Sequence, residues 1–143
     1  MKKSDINLAS ILTYSGTLPL VACVVLIFAP IAGVDGNLVA KTYGAVILSF
    51  LCGIHWAAFL FFAEKCPHQL LITSNVLALL AWCSLLATHQ RMALALQAMC
   101  FLILFALDFR LHNVGILPEW FYYLRRNATV IVVVCLSAMA VLS

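Results

Sequence analysis

The chain has 143 residues, of which 66% are hydrophobic and only 9% are charged, and its mean hydropathy is +1.13. Soluble domains carry about 25% charged residues, so this composition excludes a soluble fold and predicts one all-α integral membrane domain over residues 1–143. The formal net charge of +3 comes from basic residues that lie mostly in loops, where they report topology rather than a nucleic-acid partner.

Hydropathy predicts five membrane-spanning helices in a single bundle. Each apolar run has about 18 to 22 residues, which at ~1.5 Å rise per residue crosses a hydrocarbon core of ~30 Å. Proline, glycine and charged residues occupy the breaks between the runs. The predicted spans are residues 8–29, 41–62, 69–88, 92–109 and 122–142.

The basic residues predict the orientation. On the far side of the membrane from the N-terminus the predicted topology places Lys41 and Arg91. The N-terminal side receives the other six, which are Lys2, Lys3, Lys65, Arg110, Arg125 and Arg126. Because lysine and arginine concentrate in cytoplasmic loops, this asymmetry predicts the N-terminus inside and the C-terminus outside.

The first span contains a proline, Pro19. Its ring nitrogen cannot donate to the Ser15 carbonyl, so the helix is expected to kink there. Residues 20–23 resemble a bacterial lipoprotein cleavage box, but apolar residues continue to Ala29, which favours an uncleaved span. The six cysteines are spread singly without metal-ligand spacing, so no metal site is predicted and each is interpreted as a small buried hydrophobe.

The second span carries small residues at every fourth position, Ala45, Ser49, Gly53 and Ala57. Such a ridge lets another helix approach closely and predicts a packing interface. The alternative is that small residues are simply common in membrane helices.

His55 points away from that ridge, about 200° round the helix from Gly53 at ~100° per residue. An ionisable side chain inside the membrane suggests a functional site, and the alternative is a neutral, hydrogen-bonded structural histidine. The neighbouring Trp56 is interpreted as an interface anchor.

Polar residues collect in the inner half of the membrane and form a candidate pocket. Its members are Tyr14, Thr17, His55, Asn75, Asp108 and Arg110. The alternative is that loops and interfaces are polar anyway. Asp108 is expected to pair with Arg110, Arg125 or Arg126, or with His55 if the helices converge. We interpret this as a structural ion pair between spans four and five, with a proton-accepting or ligand-binding pair as the alternative.

Aromatic rings and cations flank the spans on the same side. Amphipathic rings prefer headgroup depth and cations lie near anionic lipid, so an interface belt is predicted. It comprises Trp56, Trp120, Tyr122, Arg125 and Arg126.

Several of these segments together resemble one family. They are YGAVILSFLCGIHW at 43–56, Trp82, Asp108 with Arg110, and LPEWFYYLR at 117–125. They resemble the domain of unknown function 3429 family, a bacterial family that also includes the mitochondrial transmembrane protein 69, over nearly the whole chain. The resemblance implies a small protein of the bacterial inner (cytoplasmic) membrane and brings no established activity. The family pattern has glycine where this chain has Cys52 and Ala57.

Three functions are compatible with these observations. No nucleophile and base pair, metal cluster or phosphate loop is visible, and no cofactor is indicated. The first function is therefore a non-enzymatic binding or assembly component. Such a protein would lie in the lipid bilayer and associate with a larger membrane complex or with a second copy of itself. The alternative is a carrier or channel for protons or a small solute that uses His55 and Asp108. The third is an enzyme acting on a lipid, quinone or porphyrin. A wide separation of His55 and Asp108 in the bundle would exclude this third hypothesis.

Overall fold

The computed structural model describes residues 2–142, and all the regular structure in that range is helical. Six helices follow one another within this range: α1 Lys3–Ser15, α2 Leu18–Phe28, α3 Gly36–Phe62, α4 Gln69–Leu86, α5 Gln90–Asn113 and α6 Glu119–Leu142. Helices α1 and α2 form one unit, so five segments of the described chain are long and apolar enough to cross a membrane. The prediction of an all-α fold with five segments of spanning length is confirmed.

The first span breaks where the sequence predicted a kink. Gly16 and Thr17 separate α1 from α2, and Pro19 lies in the first turn of α2. The Thr17 hydroxyl donates to the Tyr14 carbonyl at 2.8 Å, and the Tyr43 hydroxyl of α3 donates to the Gly16 carbonyl at 2.8 Å. These hydroxyls satisfy carbonyls that lose their helical partners at the break.

Four helices extend beyond the predicted spans, and the first of them, α1, begins at Lys3 instead of residue 8. Helix α3 begins at Gly36 instead of residue 41, because the Asp35 carboxylate caps it by accepting from the amides of Asn37 and Leu38 at 2.9 and 3.1 Å. Helix α5 continues to Asn113 rather than ending at 109, and α6 begins at Glu119 rather than 122. Hydropathy marks the apolar part of a helix, and its polar ends continue outside that part.

Helix α5 lies at the centre of the bundle and packs against α3, α4 and α6. The core is built from large apolar side chains that are at most 1% exposed: Leu20, Leu48, Leu94, Phe101, Leu104, Leu136 and Met139. Helix α1 is held differently, because none of its residues is buried and its main contact is with α6.

The predicted small-residue ridge on α3 does not pack inside the chain. Ala45 is buried, but Ser49, Gly53 and Ala57 are exposed, and a Cβ placed on Gly53 meets nothing within 4 Å. The face of α3 that packs carries His55, and burial of that imidazole turns the ridge outward. Contact of the ridge with another chain stays a prediction.

Candidate functional site

Three helices bring a histidine, an aspartate and an arginine together, and we call these residues the His55 cluster. His55 Nε2 of α3 lies 2.8 Å from Asp108 Oδ1 of α5. Arg125 of α6 donates from Nε and Nη2 to Asp108 Oδ2, at 3.0 and 2.8 Å. The three residues are 0%, 1% and 5% exposed. Asp108 is therefore paired with two of its predicted candidate partners, His55 and Arg125.

Helical spacing delivers each of these side chains to the same place. On α5 the buried stripe Gln97, Phe101, Leu104 and Asp108 advances by four, three and four residues, which keeps it on one face. The stripe Arg125, Thr129, Val132 and Leu136 on α6 has the same spacing, as does Leu48, Cys52 and His55 on α3. Each buried stripe carries one member of the cluster, so packing of the three stripes against one another brings the cluster together.

The hydrogen bonds of the cluster define its charge. A buried carboxylate is tolerated when it is paired and hydrogen-bonded, and Asp108 receives bonds on both oxygens. His55 Nδ1 is buried and has no partner among residues 2–142. A neutral imidazole with its proton on Nε2 donates to Asp108 and leaves a lone pair unpaired at Nδ1. In that tautomer the charges of Asp108 and Arg125 compensate each other, and the cluster has no net charge.

A cavity of about 460 Å³ lies beside the cluster, and we call it the lateral cavity. Helices α1, α3 and α6 form its walls, and Phe101 of α5 reaches it from the core. Its lining is mostly apolar, with Thr13, Thr17, Thr129 and Arg125 as the side chains that carry polar groups. Of the three cluster residues, Arg125 is the one that lines the cavity.

Helix α1 supplies one wall of the lateral cavity through Ala9, Leu12, Thr13 and the following Gly16. A side-chain hydrogen bond ties α1 to α6, from Asn127 Nδ2 to the Tyr14 hydroxyl at 3.3 Å. Leu12 and Phe50 line the cavity and are also 63% and 68% exposed. The cavity rim therefore lies at the outer surface of the bundle, where lipid would be.

Comparison with protein families gives a match over nearly the whole chain. The DUF3429 family, described as "Protein of unknown function", matches residues 6–141. The chain belongs to the DUF3429 family. No curated protein and no solved structure matches it. Membership of DUF3429 confirms the resemblance seen in the sequence, and the family description assigns no activity.

The six residues predicted to form one pocket are divided in this DUF3429 protein. His55 and Asp108 meet in the His55 cluster, and Thr17 lines the lateral cavity. Tyr14 does not line this cavity; it is 39% exposed, and its hydroxyl accepts from Asn127. The remaining two lie elsewhere, because Asn75 is exposed and bonds the Leu71 carbonyl of its own helix, and Arg110 is exposed.

Arg110 lies in a second cavity of about 520 Å³, between the α3–α4 loop and the end of α5. Its charged members are Glu64, Lys65 and Arg110. Cys66 also lines it, and burial raises the pKa of that thiol. Arg110 follows Asp108 by two residues, about 200° round α5 at ~100° per residue, so it cannot share the Asp108 face.

Of the five residues predicted for the interface belt, Trp56 and Arg126 are exposed and Trp120 and Tyr122 are half-buried. Trp56 is 40% exposed, the Tyr122 ring stacks on His112 at 4.4 Å, and Trp120 packs edge-on against Phe121. The Arg126 guanidinium lies over Tyr123, 4.9 Å from the ring centroid. Arg125 differs from the prediction, because it turns inward to the buried Asp108 carboxylate rather than toward lipid headgroups.

A second buried polar cluster was not predicted, and we call Lys41, Ser84 and Gln97 the Gln97 cluster. Gln97 Nε2 donates to the Lys41 carbonyl and to the Ser84 hydroxyl, both at 2.8 Å. Lys41 Nζ donates to the Leu85 and Ala87 carbonyls at the end of α4, at 3.3 and 3.4 Å. Gln97 Oε1 is buried without a partner among residues 2–142 and lies against Gly44. The sequence signal was a glutamine inside an apolar span.

Proposed function

We propose that this DUF3429 protein is a non-enzymatic binding component of the bacterial inner membrane that holds a single-chain amphipathic molecule in the lateral cavity. The observation that carries the proposal is a largely apolar cavity with Arg125 in its wall and its rim at the lipid-facing surface. Small-molecule sites have this character, with apolar walls and a few placed polar groups, and volumes of about 300–1,000 Å³.

The size and position of the cavity support this ligand class. At about 460 Å³ it lies in the lower half of the usual range, which favours one chain or ring system over a two-chain lipid. From Phe121 to Val132 the α6 wall advances by eleven residue steps, or ~16 Å at ~1.5 Å per residue. With the N-terminus inside, as the basic residues indicate, Arg125 stands at the cytoplasmic end of this wall.

The alternatives have less support from the same geometry. The enzyme hypothesis needs His55 or Asp108 to reach a substrate. Both are covered, and neither lines the lateral cavity. A carrier or channel needs a polar path, but Leu48, Phe101 and Leu104 are at most 1% exposed and separate the His55 cluster from the Gln97 cluster along α3 and α5.

The test is native mass spectrometry of the protein extracted with its own lipids, compared between two matched variants. Ala128→Phe puts a ring into the lateral cavity, because Ala128 lines it. Ala57→Phe puts the same ring on the exposed face of α3. We expect one retained amphiphile in the wild type and in Ala57→Phe, and its loss in Ala128→Phe. A bare wild-type chain, or equal retention by both variants, would overturn the proposal.

A further inference from the structure

Arg125 belongs to two environments at once, because it holds Asp108 and also lines the lateral cavity. Its bonds to Asp108 use Nε and Nη2, which leaves Nη1 as the nitrogen for a ligand. Thr129, one turn later on α6, lines the same wall and is 6% exposed. A guanidinium and a hydroxyl in a dry wall recognise an oxyanion.

We infer that the amphiphile of the lateral cavity carries an anionic oxygen head, a carboxylate or a phosphate, and that its binding is coupled to uptake of one proton by His55. This inference rests on the proposed function. It adds the head-group chemistry and a dependence on pH to the same site.

The charges of the His55 cluster require the proton. With a neutral imidazole the ligand-free cluster carries no net charge, since Arg125 compensates Asp108. An anion that binds Arg125 brings the buried site to a net charge of −1, which low-dielectric surroundings penalise. A proton on His55 restores neutrality, and histidine is the side chain that ordinarily changes charge near neutral pH.

The hydrogen bonds specify the atom that takes the proton. In the tautomer that carries its proton on Nε2, a neutral His55 donates to Asp108. A second proton then goes to Nδ1, which has no partner to displace within the described chain. Protonation would leave the Nδ1–H without a hydrogen-bond partner, which disfavours the charged ring while Arg125 compensates the Asp108 charge. When an anionic ligand binds Arg125, less of the Arg125 charge is available to compensate Asp108. The imidazolium then becomes the stronger partner of the Asp108 carboxylate, at 2.8 Å.

The charged neighbour of His55 is Asp108 of α5, and Arg125 of α6 pairs with the other oxygen of that carboxylate. The nearby thiols are Cys52 of α3 and Cys100 of α5, which interact with each other, and Cys52 also interacts with Arg125. Helices α2 and α4 contain no Asp, Glu, Lys, Arg or His, and the charged residues of α1, Lys3 and Asp5, are exposed at its start. Asp108 is therefore the one competitor for the proton among these groups.

The experiment is calorimetric titration of the full chain in phosphatidylcholine nanodiscs with dodecyl sulfonate, whose charge does not change near neutral pH. Titrations in two buffers of different ionisation enthalpy give the protons taken up per ligand. We expect uptake approaching one proton and an affinity that falls by up to about tenfold per pH unit as pH rises, because binding and protonation are reciprocally linked. The neutral control, monododecanoylglycerol, should bind at least tenfold more weakly and take up no proton.

The matched variant is His55→Gln, whose amide can still donate to Asp108 but does not titrate. We expect it to bind dodecyl sulfonate with no proton uptake and no pH dependence. Uptake that persists in His55→Gln would overturn the assignment to His55. If wild type binds the neutral and anionic amphiphiles equally, the anionic-head inference fails while the proposed function stands. If neither amphiphile binds, both fail.

Two further arms distinguish the sources of the head group. Dodecanoate tests a fatty-acid carboxylate, and a dodecanoyl lysophosphatidate tests a lipid phosphate. Tighter binding of either one names the source, and the variant Arg125→Lys should weaken both at least tenfold, because one ammonium cannot hold Asp108 in the two-nitrogen geometry and also reach the ligand.

Discussion

The His55 cluster and the Gln97 cluster are two solutions to the same problem of burying polar groups in one bundle. Helices α3 and α5 contribute to both, with α6 completing the first and α4 the second. The Gln97 cluster uses an amide, a hydroxyl and backbone carbonyls, and its members line neither of the two cavities described above. The His55 cluster is ionic, and one of its charges reaches a cavity. A buried polar group suggests a site when part of it stays accessible.

The largest expected effect comes from breaking the His55 cluster. Asp108→Ala leaves Arg125 as an uncompensated buried charge, and removal of one partner of a buried pair costs about 3–5 kcal/mol. We expect that loss in the free energy of unfolding, measured in mixtures of dodecylmaltoside and dodecyl sulfate. Asp35→Ala removes an exposed helix cap and should cost about 0.5–2 kcal/mol. Equal losses for the two aspartates would contradict the pairing.

A smaller effect is expected at the Gln97 cluster. Gly44→Ala places a Cβ against Gln97 Oε1, and forced displacement of a buried side chain costs about 1–3 kcal/mol. Gly53→Ala on the same helix meets nothing within 4 Å. That substitution should gain up to about 1 kcal/mol from helix propensity. The same unfolding experiment should show that Gly44→Ala lowers the free energy of unfolding and that Gly53→Ala does not lower it.

The smallest effect on the free energy of unfolding is expected at Lys41, the charged member of the Gln97 cluster. Lys41→Met keeps the apolar stem and removes the ammonium that donates to the Leu85 and Ala87 carbonyls. A cation at a helix C-terminus contributes about 0.3–2 kcal/mol, so we expect a loss within that range. Amphiphile binding in the lateral cavity should be unchanged, because Lys41 does not line it. Loss of binding in Lys41→Met would show that the two clusters are coupled.

Hydropathy and chain punctuation predicted the five spans and the break near Pro19, since each depends on local sequence. The sequence did not predict that Asp108 pairs with Arg125 rather than with Arg110 or Arg126, because that pairing depends on the rotation of α6 against α5. Asn75 was grouped with His55 by depth alone, and depth does not tell which way a side chain faces. The Gln97 cluster was missed because Gln97 bonds a backbone carbonyl, a group that every residue carries.

The hydrogen bond between Asn127 and Tyr14 joins residues 113 positions apart. Because α6 follows α1 in the chain and is its main contact, α1 cannot make that contact until α6 has been synthesised. The wall that α1 supplies to the lateral cavity therefore meets the α6 wall late in folding. The amphiphile proposed for this cavity can be in place before the two walls meet.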